Sequence, residues 1–114
     1  MFGLFKKTKK QTDAQYHEDE QILLTAKNTL KSTLVFVTDD TEITDTIKDI
    51  VKSMEYITPT AAPKGIDIDK SINSLAKDVK STLSNIKKDY SKEKTLYQLT
   101  TIKSKLVDRD QWVK

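Results

Sequence analysis

Apolar residues recur at helical spacing in four stretches of the chain, and each stretch is flanked by polar or charged positions. Leu23, Ala26, Leu30, Leu34 and Val37 follow one helix face, and Asp13 is a natural N-cap with Glu18, Asp19 and Glu20 near the helix start. Residues Thr33 to Thr38 are β-branched enough to make a short strand as the alternative to a helix end. The clearest stripe is Ile43, Ile47, Ile50, Val51, Met54 and Ile57, with Glu42, Asp45, Lys48, Asp49, Lys52 and Glu55 on other faces. Asp39, Asp40 and Thr41 precede it as a turn and cap.

Thr58 to Gly65 holds both prolines and one of the two glycines, so it reads as the only linker. Beyond it, Asp67 or Asp69 caps a third stripe of Ile68, Ile72, Leu75, Val79, Leu83, Ile86 and Tyr90. The apolar phase then shifts to Leu96, Leu99, Ile102 and Leu106, which predicts a break near Asp89–Lys94 with Ser91 as the next cap. The pattern predicts an all-α, antiparallel three- or four-helix bundle with helices near 13–37, 41–58, 67–90 and 92–110. A short cationic tail over 1–12 precedes a single helical domain over 13–114. Its halves, 13–58 and 66–112, meet at the linker 58–65.

Composition narrows the chemistry. The 114 residues contain no cysteine, which excludes disulfides, thiolate metal sites and a thiol nucleophile, and two glycines leave little room for a Gly-rich phosphate loop. His17 is the sole histidine and sits in an acidic first turn, so a multi-histidine site is out of reach. Asp67-Ile68-Asp69-Lys70-Ser71 begins like a calcium loop, but Ile72 stands where that loop needs glycine and Asp78 where it needs glutamate. No catalytic residue, metal ligand or cofactor site is expected, and the chain reads as non-enzymatic. The 15 threonines and 8 serines are mediocre helix formers, so packing must stabilise the helices.

The formal charge of +3 is unevenly spread. Residues 13–57 hold four lysines against ten acids, and residues 58–114 hold eleven lysines and Arg109 against seven acids. The lysines of the first ten residues supply more than the whole excess. With Arg109 as the one arginine, base readout is poorly supported, although phosphate attraction through Lys77, Lys80, Lys87, Lys88, Lys103 and Lys105 is an option.

Three functional expectations follow. The first is a protein–protein interaction module (an adaptor, assembly factor or inhibitor) that self-associates as a homodimer or binds another protein through Ile43, Ile47, Ile50, Met54 and Trp112. For Trp112 a lid on one end of the core is the preferred reading over a partner anchor. The second is a cytoplasmic protein held peripherally at the anionic inner face of the membrane by Phe2, Leu4, Phe5, Lys6, Lys7, Lys9 and Lys10. Non-specific nucleic-acid association ranks third.

Overall fold

A computed structural model of the chain describes residues 2–84 and 92–112, with side chains from Asp13 onward. Four α-helices account for most of it: α1 (Phe2–Thr33), α2 (Thr41–Glu55), α3 (Pro63–Leu83) and α4 (Lys92–Arg109). Short 3₁₀ turns follow α1 at Leu34–Phe36 and α4 at Asp110–Trp112. No strand occurs among the described residues, so Thr33–Thr38 ends a helix instead of forming β structure. The expected all-α bundle is the fold, in its four-helix form.

Several boundaries differ from the expected ones. The helix expected to start at Asp13 begins at Phe2, so Asp13 is helix interior and the segment expected as a flexible tail is helical backbone. The third helix opens at Pro63, not at Asp67, because proline is pre-shaped for the first helical position and Ala62 provides the extended residue before it. Asp69 is therefore not a cap. It lies inside α3 and is fully buried. The third and fourth stretches are two helices, with α3 ending at Leu83, earlier than expected. Ile86, Tyr90 and the proposed cap Ser91 lie outside the described residues.

Asp40 does cap α2, its side chain accepting the Ile43 N–H at 3.1 Å. The Thr44 hydroxyl donates to the Val37 carbonyl at 2.7 Å, which anchors the turn before the helix. Threonine and serine hydroxyls along the helices donate back to the carbonyl four residues earlier, as Thr29, Thr46, Ser53 and Thr101 do. They meet their hydrogen-bond needs locally and leave stability to the core.

α1 packs on α2 and α3, and α4 packs on the same two helices from the other side. Asp40 at the start of α2 meets Lys92 at the start of α4, and Asp19, Asp69 and Arg109 meet at the opposite end. The helices thus run alternately up and down, and the 56–62 connection crosses the lower end between the diagonal helices α2 and α3. The core joins Leu23, Ala26 and Leu30 with the α2 stripe, with Ile72, Ala76, Val79 and Leu83, and with Leu99 and Ile102.

Candidate functional site

Among the described residues, the largest fully buried side chain is Arg109, the last residue of α4. It lies at the lower end of the bundle with two other buried charged residues, Asp19 of α1 and Asp69 of α3. Each occupies the continuation of an apolar stripe: Asp19 is four residues before Leu23, Asp69 three before Ile72, and Arg109 seven after Ile102. Helical periodicity turns all three inward to one point.

Arg109 grips Asp69 with two parallel bonds, Nε to Oδ1 at 2.6 Å and Nη2 to Oδ2 at 2.9 Å. This fork matches a carboxylate better than any lysine could. Nη2 also donates to the Thr58 carbonyl at 2.9 Å and lies 3.5 Å from Asp19 Oδ2, at the outer edge of hydrogen bonding. Asp19 Oδ2 accepts the Thr60 N–H at 2.9 Å, while Asp19 Oδ1 meets no donor.

Burial pushes the Asp19 carboxyl up to about 7, and the neighbouring Asp69 carboxylate adds to the rise; the Thr60 N–H and Arg109 pull the other way. With one proton on Asp19 the trio is electrically neutral.

The 56–62 connection is built into this end. Thr60 is buried, its hydroxyl donating to the Trp112 carbonyl at 2.6 Å and accepting the Ala62 N–H at 3.1 Å. The stretch expected as a linker is therefore part of the bundle's closure. Gly65 sits against it, and a Cβ there would fall 2.5 Å from Thr60 Cγ2 and 3.0 Å from Trp112 Cβ. Glycine is required by the close approach, not by backbone conformation. Trp112 is half-buried, with the Lys64 ammonium 5.3 Å from its ring centroid. It stands at the lower end of the bundle, its Cβ over Gly65.

The other expected contact residues are dispersed. Ile43, Ile47, Ile50 and Met54 fill the chain's own core and are buried, so they do not form the partner surface expected of them. A full helical stripe in α2 finds its cover in α1 and α4. Lys77 and Lys80 are exposed on α3, Lys105 is half-buried on α4, and Lys103 borders a groove between α2 and α4. Lys87 and Lys88 lie outside the described residues, as do the side chains of Phe2, Leu4, Phe5, Lys6, Lys7, Lys9 and Lys10. His17 and Asp67 are exposed, and no set of three metal-ligating side chains converges among the described residues.

Two clefts flank the end of α2 and share Ile57 as a wall. The smaller, about 220 Å³, lies between α1 and α2 against Leu23, Leu24 and Met54. The larger, about 430 Å³, lies between the parallel helices α2 and α4. Ile50, Ile57, Leu106 and Val107 line its apolar part, and Asp49, Lys103 and Asp110 rim it. Val107 is 70% exposed beside this groove.

The opposed charges of the two halves meet within the chain: Lys70 pairs with Glu18 at 3.7 Å, and Lys92 with Asp40 and Glu42 at 3.4 and 3.0 Å. No described helix is long and apolar enough to cross a membrane. No family model, curated protein or solved structure matches this chain.

Proposed function

We propose that this chain is a non-enzymatic helical docking module that receives an apolar segment of a protein partner in the groove between α2 and α4. The observation that carries this reading is the groove itself: about 430 Å³ of open space, apolar at its base and charged at its rim. Concave sites between bundle helices are where binding clefts commonly form, and a polar rim around an apolar floor suits a helical segment. Exposed Val107 and the half-buried Leu106 and Ile57 supply apolar surface that the fold leaves uncovered.

A photo-crosslinking residue placed at Val107, and in a separate variant at exposed Ser81 of α3, tests it in the cells that make the protein. A discrete adduct is expected from position 107 alone, and Leu106→Glu abolishes it. An adduct of twice the chain mass identifies a second copy as the occupant. Equal adducts from both positions, or none from position 107, overturn the proposal.

A second, compatible reading is peripheral attachment to an anionic membrane at its cytoplasmic face. The observation favouring it is that α1 is continuous from Phe2, so three bulky apolar residues and four lysines share the start of one helix. Such a segment binds anionic headgroups by partial insertion plus charge. Flotation with vesicles rich in phosphatidylserine is expected for the full chain and lost without residues 1–10. Equal flotation of both sinks the tether.

A further inference from the structure

Among the described residues, the lower end buries two carboxylates, Asp19 and Asp69, and one cation, Arg109. Among the described residues, no other cation pairs with either carboxylate. Lys70 turns out to pair with Glu18 on the surface, and Lys64 lies over the Trp112 ring. The connection from Thr58 to Ala62 carries no charged residue. His17 of α1 and Asp67 of α3 are exposed, as are Asp108 and Asp110 at the end of α4. Among the described residues, α2 makes no polar contact with the trio. An uncompensated buried charge is costly, so the trio is stable when Asp19 holds a proton.

We propose that Asp19, Asp69 and Arg109 form a proton-operated latch, which holds the 58–62 connection and the Asp110–Trp112 turn against α1 when protonated and frees them when the proton is lost. The bonds at stake are Thr60 N–H to Asp19, Arg109 to the Thr58 carbonyl and the Thr60 hydroxyl to the Trp112 carbonyl. All three tether irregular backbone or the Asp110–Trp112 turn, whereas the apolar core of Leu30, Ile43, Ile47, Val79, Leu83 and Leu99 lies further up the bundle. Release is therefore local.

The sign follows from linkage. The Asp19 carboxyl is raised from 3.8 to about 7 in the closed form, so that form binds more protons than the open one between those values. Latch stability is full below the lower value, falls as pH rises, and stops falling above the upper value.

Amide hydrogen exchange of Thr60, corrected for intrinsic base catalysis, reads the latch directly, and emission of Trp112, the only tryptophan, follows the same corner. In the unsubstituted chain, Thr60 protection is expected to start falling near pH 4, to fall about tenfold per pH unit above that, and to level off near 7. Far-UV helicity stays constant and Trp112 emission shifts over the same window. Asp19→Asn keeps an acceptor for the Thr60 N–H and removes the titration, so its protection is expected to be flat. His17→Gln, which removes the only histidine, leaves the wild-type profile intact.

A flat Thr60 profile in the unsubstituted chain overturns the latch. So does an unchanged profile in Asp19→Asn, or loss of the profile in His17→Gln. Should Asp19→Asn fail to fold, the profile of the unsubstituted chain decides alone.

Discussion

The two ends of the bundle join the same acidic front half to the same basic back half, by different means. At the upper end Lys92 reaches Asp40 and Glu42 with a side chain that is half exposed. The hydrogen bond to Glu42 holds its ammonium above the ordinary lysine range. At the lower end Arg109 reaches Asp69 and Asp19 in full burial. Water screens the first arrangement and is excluded from the second, so the upper pairs trim association while the lower trio dictates how three helices meet. Burial, rather than the number of ion pairs, decides what a charge is worth here.

Arg109→Met should have the largest effect, because it leaves two carboxylates buried with no cation. A loss of about 3–5 kcal/mol is expected in urea denaturation at neutral pH. The deficit should shrink at about pH 5, where the abandoned carboxylates take up protons. A loss no larger than that of a surface substitution would dissolve the contrast between the ends.

Asp40→Ala comes next. It removes the side-chain acceptor for the Ile43 N–H, and about 1 kcal/mol of stability should go with it. The loss should persist at high salt, since the capping bond is short-range. Lys92→Gln should have the smallest effect. Its lowering of the thermal midpoint should vanish at about 1 M salt, where the screening length is about 3 Å. A Lys92→Gln defect that survives such salt would place the upper end in the same class as the lower.

The helical bundle was legible from periodicity. The α2 stripe of Ile43, Ile47, Ile50, Val51 and Met54 is buried as its spacing predicts. So are Leu23, Ala26 and Leu30 in α1, and Leu99 and Ile102 in α4. The error was in what covers the α2 stripe: spacing shows that a face is buried but not whether a neighbouring helix or a partner buries it.

The Asp–Arg–Asp trio is hidden in the sequence for a related reason. A search for apolar residues stops at the first charge, and Asp19, Asp69 and Arg109 each stand at the end of a stripe, still in phase with it. Ala76 further hid the α3 face: the buried positions run Asp69, Ile72, Ala76, Val79 and Leu83, while Ile68 and Leu75 are half-buried. A charged residue in phase with a core stripe, matched by an opposite charge in phase with another, is the signal that finds such a site. The groove between α2 and α4 had no such signal, since it depends on how far apart two helices pack.

The trio also sets an order of events. Asp19 and Arg109 stand ninety residues apart in the chain, and Thr60 and Trp112 fifty-two. By contrast, the hydroxyl bonds that line the helices span four residues, as Thr29 to Thr25 and Thr46 to Glu42 do. Closing so long a loop costs entropy that only neighbours already in place can offset, so the corner is expected to assemble after the α1–α2 and α3–α4 hairpins. A chain that stops short of Arg109 would carry two inward-facing acids with nothing to receive them. Arg109 thus acts as a late tie between α4 and α1, joining two hairpins that each form from nearer contacts.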